Sequence, residues 1–134
     1  MRNSLYSGKV VVITGSTQGL GEAVARKMVA EQAAGVSISG RNVERGKALA
    51  EELTGLGTPT IFVRTELENP DECRNLIRQS VEHFGRLDGL VNSAGITTRG
   101  TLEESSVELW DQHMAVNARA PFLTMQEAVI IMQK

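Results

Sequence analysis

Apolar positions along this chain fall into short β-branched runs separated by longer stretches with helical spacing. Val10 to Thr14 predicts a first strand. After the glycine-rich Thr14-Gly15-Ser16-Thr17-Gln18-Gly19-Leu20-Gly21, apolar residues recur at helical spacing and predict a helix from about Leu20 to Gln32, with Gly35 as its left-handed cap. Val36 to Gly40 predicts a second strand, and Asn42 to about Thr54 a charged helix burying Val43, Ala48, Leu49 and Leu53. A turn at Gly55 to Pro59 leads into a third strand, Thr60 to Arg64. Pro70 suits the first turn of the next helix, about Asp71 to Phe84, which turns Leu76, Ile77 and Val81 inward. Leu87 to Asn92 predicts a fourth strand and Ile96 to Ser106 a polar loop. A long helix from about Val107 to Met132 follows, interrupted and kinked at Pro121.

Alternation of this kind implies one α/β domain over residues 1–134, with a parallel sheet covered on both faces. Right-handed crossovers, with a reversal after the third strand, give a Rossmann-type doubly wound sheet of order 3-2-1-4. The binding crevice is then expected at the carboxyl ends of strands one and four, where the order reverses.

Composition narrows the partners. Hydrophobic residues make up 41% and charged residues 22%, as in soluble globular proteins. The formal net charge of −2 comes without a basic block, which argues against nucleic acid and anionic membranes. No apolar run approaches the roughly 20 residues that span a bilayer. The polar segment Met1 to Gly8 lacks the apolar core of a signal peptide, so a cytoplasmic location is expected. The single Cys73 has no internal disulfide partner and reads as a plain helix residue. His83 reads as a surface or capping residue and His113 as a structural one. No His, Cys or carboxylate partner stands at a metal-ligand spacing, so no metal is expected.

Candidate chemistry lies in the glycine turn. Glycines admit positive φ and close approach of an anion to the backbone, and a helix opening behind them aims free N–H groups at that anion. The stretch reads as a phosphate cradle for a dinucleotide, although its spacing is G-x-x-x-G-x-G rather than G-x-G-x-x-G. By itself it also fits an ordinary strand-to-helix loop. In dinucleotide-binding folds an acid ending the second strand holds the adenine ribose and selects NAD, whereas a nearby Arg accommodates a 2′-phosphate. Here the strand ends in Gly40 and Arg41 follows, so NADP is expected ahead of NAD. Taken alone, Arg41 reads first as an ordinary solvated side chain, and its place right after the second strand raises the functional reading.

The Thr14 to Gly21 turn resembles the short-chain dehydrogenase/reductase family. Leu87-Asp88-x-Leu90-Val91-Asn92-x-Ala94-Gly95 is similar to that family's Asn-x-Ala-Gly motif, with Ser93 in the variable place. Trp110-Asp111-x-x-Met114-x-Val116-Asn117 resembles the start of its central helix. The resemblance covers the whole chain. It implies that Gly15, Thr17, Gln18, Gly19, Leu20 and Gly21 line the pyrophosphate and ribose, and that Arg41 with Asn42 holds the 2′-phosphate. Glu66 and Leu67 would lie beside the adenine, where the family usually has Asp followed by Val or Leu. Asn92, Ala94 and Gly95 would flank the nicotinamide-side ribose. Asn117 would be the active-site asparagine, holding a water for proton relay.

The implied activity is hydride transfer between a nicotinamide and a small carbonyl or alcohol. The family's catalytic Ser and Tyr-x-x-x-Lys lie beyond the central helix and are not among these residues; the one tyrosine, Tyr6, has Val10 four positions on. The expected reading is therefore the cofactor-binding half of an NADP(H)-dependent enzyme, truncated after the central helix. The alternatives are a non-catalytic nucleotide-binding or interaction module complete at this length, and an inert truncated product. An exposed fourth strand and a final helix that is apolar around much of its circumference argue against a complete module. The family's use of that helix between subunits implies a homo-oligomer.

Overall fold

The computed structural model describes residues 4–134; Met1–Asn3, part of the polar N-terminal segment considered above, lie outside the described residues. Four strands form one sheet: β1 (Val10–Thr14), β2 (Gly35–Gly40), β3 (Thr60–Arg64) and β4 (Gly89–Asn92). Their order is β3-β2-β1-β4 and every pairing is parallel, with Val11 opposite both Val36 and Gly89. The helices are α1 (Gly19–Ala30), α2 (Val43–Gly55), α3 (Pro70–Phe84), α4 (Val107–Met114) and α5 (Ala120–Met132), the last two joined by a π-helical turn, Ala115–Arg119. The expected doubly wound architecture is present.

Alternation along β1 builds the three layers. Val11 and Ile13 face α1 and α2, joining Ala25, Met28, Val36, Ile38 and Leu53 in one core. Val12 faces the other way and meets Val63, Leu76, Ile77 and Ala128 beneath α3 and α5. All five β1 residues are buried, so the strand that carries the glycine turn is fixed on both faces.

Several local expectations are corrected. Helix α1 stops at Ala30, and the left-handed residue beyond it is Gln32 (φ 61°), not Gly35. Gly35 instead opens β2, where a Cβ would run into the Phe84 ring. Helix α2 buries Gly46, Leu49, Ala50 and Leu53; Val43 and Ala48 are exposed, because the helix starts at Val43 with Asn42 as its cap. In α3 Leu76 and Ile77 face inward as expected, joined by Cys73 and Ser80, while Val81 is only partly buried. The fourth strand begins at Gly89 rather than Leu87, since the Asp88 carboxylate accepts the Val10 N–H at 2.9 Å.

The long final helix breaks earlier than expected. Pro121 lies in the first turn of α5, and the distortion is the π-turn ahead of it, where the Ala120 N–H reaches back to the Ala115 carbonyl. A proline cannot donate to the carbonyl four residues back, here Asn117, and its ring crowds that oxygen. The helix widens before the proline rather than at it. Helix α5 buries Ala120, Leu123, Thr124 and Ala128, leaving Phe122, Met125, Val129 and Ile130 exposed. Among the described residues no helix is long and apolar enough to cross a membrane.

Candidate cofactor cleft

Two turns meet at the carboxyl ends of β1 and β4. Gly15 has φ 56°, and a Cβ there would sit 2.7 Å from the Ala94 Cα. A Cβ on Gly21 would strike the Gly15 carbonyl and the Ser93 hydroxyl. Both glycines therefore owe their place to close packing of backbone on backbone. Ser93 Oγ donates to the Thr14 carbonyl, and the Ala94 N–H donates to Thr14 Oγ1 at 3.2 Å. Ser16 Oγ donates to the Ile13 carbonyl at 2.7 Å and accepts the Ser39 N–H at 2.8 Å, fastening the glycine turn to β2. Gln18 stands at the N-cap of α1 in extended conformation, and its side chain makes no capping bond. Gln18, Leu20 and Gly21 line the crevice, so the start of α1 borders it, an arrangement that suits an anion.

The crevice has a volume of about 330 Å³. Ten of the expected residues line it: Gly15, Thr17, Gln18, Leu20, Gly21, Arg41, Glu66, Leu67, Ala94 and Gly95. The other four expected residues are not in its lining. Gly19 shapes the turn with φ 59°. The Asn42 side chain caps α2 by accepting the Arg45 N–H at 3.0 Å. Asn92 Oδ1 accepts from Thr124 Oγ1 at 2.8 Å, tying β4 to α5. Asn117 Oδ1 accepts the Ile96 N–H at 2.8 Å while its Nδ2 donates to the Ile96 carbonyl at 2.9 Å. Its carboxamide thus engages the main chain of Ile96 through both of its ends.

Sequence reasoning missed Ser39, Gly40, Thr65, Glu68, Ser93, Ile96, Gln112 and Val116 in the lining. Ser39, Gly40 and Ser93 neighbour quoted motif residues, and Val116 is one, so these could have been included; Gln112 reaches the crevice only through the course of α4. Arg45 was also missed. Its guanidinium donates to Gln18 Oε1 at 2.6 Å, bringing a second cation to the glycine turn. Its position in the first turn of α2, just past the end of β2, is the signal the sequence offered.

Charge is unevenly placed around the crevice. Arg41 makes no ion pair among the described residues. Below β1, the Arg86 guanidinium holds the Asp88 carboxyl under the usual carboxylate range against the opposing effect of burial, and the Val10 N–H adds a lesser pull in the same direction. Burial pushes the Cys73 thiol up, consistent with an inert core residue. His83 is exposed, and His113 Nδ1 lies 2.9 Å from the Leu109 carbonyl one turn back. No group of metal-ligating residues occurs among the described residues.

A family model described as short chain dehydrogenase matches residues 9–134. An oxidoreductase of Thermotoga maritima is 41% identical over 129 residues, covering 96% of this chain and 50% of the relative. A blue fluorescent protein from a metagenomic library, solved in complex with NADPH, superposes with a TM-score of 0.91 at 30% identity, over 98% of this chain and 53% of that one. An NADH-dependent reductase solved with NAD superposes with a TM-score of 0.89 at 29% identity, over 97% of this chain and 54% of that one. The chain spans about half the length of the curated relatives it matches.

Proposed function

The chain belongs to the short-chain dehydrogenase family, and from that premise we propose that it forms the cofactor-binding half of an NADP(H)-dependent oxidoreductase acting on a small carbonyl or alcohol. The observation that carries the reading is the crevice between the Gly15 and Ala94 turns, bordered by the start of α1 and by Arg41. The residues present fit a dinucleotide. Gly15, Gly21 and the start of α1 line the crevice, where a helix N-terminus favours an anion, and the first-turn acid Glu22 is paired with Arg26. When bound, the nicotinamide cofactor supplies the hydride chemistry.

This chain's own residues bind and orient. The glycine turn and the α1 N-terminus would hold the pyrophosphate, with Thr17, Gln18 and Leu20 beside it. Arg41 would hold the 2′-phosphate, and Asn42 would fix the start of α2 beside it. Glu66 and Leu67 would border the adenine. Ala94 and Gly95 would border the nicotinamide-side ribose, with Asn92 holding β4 in place behind them. Asn117 would fix the Gly95–Ile96 wall from the π-turn, a positioning role. The preference for NADP rests on Gly40, where a Cβ would lie 2.9 Å from Thr17 Oγ1, leaving little room for the acid that selects NAD. A homo-oligomer, paired through the exposed apolar side of α5, completes the proposal.

Fluorescence titration of the full native chain with NADPH and NADH tests the reading. Binding of NADPH, tighter than NADH, is expected. Binding of neither would overturn the oxidoreductase reading, and tighter NADH would overturn the cofactor assignment alone.

A further inference from the structure

We infer that Arg119 is a positioning residue for the adenine side of the cleft, and that the π-turn carrying it sets both walls of the cleft from one rigid segment. The inference rests on the cleft being the cofactor site proposed above.

The wall in question is the short link between β3 and α3. Glu66, Leu67 and Glu68 all line the crevice. Each of their three carbonyls accepts from a donor. The Glu66 carbonyl takes the Asn69 N–H at 3.0 Å, the Leu67 carbonyl takes the Cys73 thiol at 3.4 Å, and the Glu68 carbonyl takes Arg119 Nη2 at 2.7 Å. The first two donors lie three and six residues away along the same link and helix, so they move with the link if it moves. The third lies 51 residues away, on the π-turn. The Glu66 N–H also donates to Glu72 Oε1 at 3.0 Å, again within α3, so among the described residues the Arg119 bond is the hydrogen bond that ties these three residues to an element beyond β3 and α3. Apolar packing runs beside it, because Leu67 lies against Cys73, Ala120 and Leu123.

The opposite wall is held from the same turn. Asn117, two residues before Arg119, engages both the N–H and the carbonyl of Ile96, while Val116 lines the crevice between the two walls. A π-turn places consecutive side chains at angles an α-helix does not offer, since it holds an extra residue per turn. In a five-residue segment, Asn117 thus reaches one wall and Arg119 the other. The spacing of the walls, and so the reach between the adenine and nicotinamide ends, is set by one piece of backbone.

Only one N–H of the guanidinium is used on Glu68, as a single charge-assisted bond. A lysine in this place can supply such a bond, whereas alanine cannot. Losing one such bond at an exposed position lowers affinity by roughly three- to tenfold.

The test uses Arg119→Ala and Arg119→Lys in the full native chain. The better bound of NADPH and NADH is titrated, and so is the matching cofactor without its nicotinamide, 2′-phospho-ADP-ribose or ADP-ribose. Arg119→Ala is expected to weaken both ligands by the same factor and to speed amide exchange at residues 66–68. Arg119→Lys is expected to restore most of the binding. If the unsubstituted chain binds none of these ligands, the cofactor reading itself fails. If it binds and the alanine variant binds equally well, or weakens only for the nicotinamide-bearing ligand, the role assigned to Arg119 is overturned. A lysine variant as weak as alanine would remove the hydrogen bond as the cause.

Discussion

The carboxamide of Asn117 and the main chain of Ile96 close a ring of two hydrogen bonds, N–H to Oδ1 at 2.8 Å and Nδ2 to carbonyl at 2.9 Å. The pairing fixes which end of the amide is which, because only one orientation satisfies both partners. It also gives the loop after β4 a β-like partner where no strand exists.

Asn117→Ala removes both bonds and is expected to destabilise the chain by about 1–2 kcal/mol. Asn117→Asp keeps the acceptor for the Ile96 N–H but sets a carboxylate against the Ile96 carbonyl. It is expected to be no more stable than the alanine variant. Urea midpoints of the three proteins, with amide exchange at Ile96, check this ranking.

The two left-handed glycines of the phosphate turn separate strain from crowding. Gly19 has φ 59°, and a Cβ placed there would meet nothing within 4 Å, so Gly19→Ala carries backbone strain alone, about 1 kcal/mol. Gly15 has φ 56° and Ala94 in the way. Gly15→Ala is expected to cost about 3 kcal/mol or more, and to push the β4 turn away from β1. Thermal denaturation should place Gly15→Ala well below Gly19→Ala.

The strands were legible because their side chains lie in continuous β-branched runs whose period does not depend on distant partners; Thr60–Arg64 and Val10–Thr14 came out to the residue. The strand order followed from connection length and handedness. What escaped was set by contacts across the chain. Gly35 looks like a helix cap until Phe84, 49 residues later, lies against it. Pro121 announces a kink, but the place of the π-turn depends on how the helix relieves crowding at Asn117. In the cleft, motif residues were legible as residue types. The donors to main-chain carbonyls, Ser93 on Thr14 and Arg119 on Glu68, carry no local signature.

Ser37 lies in β2, opposite Val12 on one side and Ile61 on the other, and is fully buried. Its hydroxyl has no hydrogen-bond partner among the described residues. An unmet buried hydroxyl costs about 1–3 kcal/mol, and the small void left by its removal offsets part of that. Ser37→Ala is therefore expected to be neutral or stabilising by up to about 1 kcal/mol. A melting temperature well below the parent would show that the hydroxyl is satisfied.

Asp88 ties the start of β1 to the start of β4 through the Val10 N–H and is flanked by Arg86. Its folded pKa is depressed, so the stability it adds is present above the ordinary carboxylate range and is lost as pH falls through the lower folded value. The Arg86 pair is the larger cause but is solvent-screened, so the stability it adds is modest, and the Val10 bond adds to it. Asp88→Ala is expected to lose about 1 kcal/mol at pH 7. The gap between parent and variant should shrink on acidification. Urea titrations across acidic and neutral pH read that slope; a gap that widens in acid would reverse the assigned sign.

Among the described residues Arg41 makes no ion pair at the end of β2, and Arg45 is held by the neutral Gln18 rather than by an acid. A 2′-phosphate bound here would meet a positive charge not already held in an ion pair among the described residues, with Glu66 and Glu68 elsewhere in the crevice lining. Arg41→Ala is expected to weaken NADPH by about 1–3 kcal/mol and to leave NADH almost unchanged. The complementary substitution is Gly40→Asp. An acid in that place repels the 2′-phosphate, yet its Cβ sits 2.9 Å from Thr17 Oγ1, so Thr17 must shift before the carboxylate can reach a ribose. Gly40→Asp should therefore lose NADPH without a matching gain in NADH. Isothermal titration of the two variants with both cofactors separates the effects: equal losses in Arg41→Ala would remove the 2′-phosphate contact, and a strong NADH gain in Gly40→Asp would show that Thr17 yields freely.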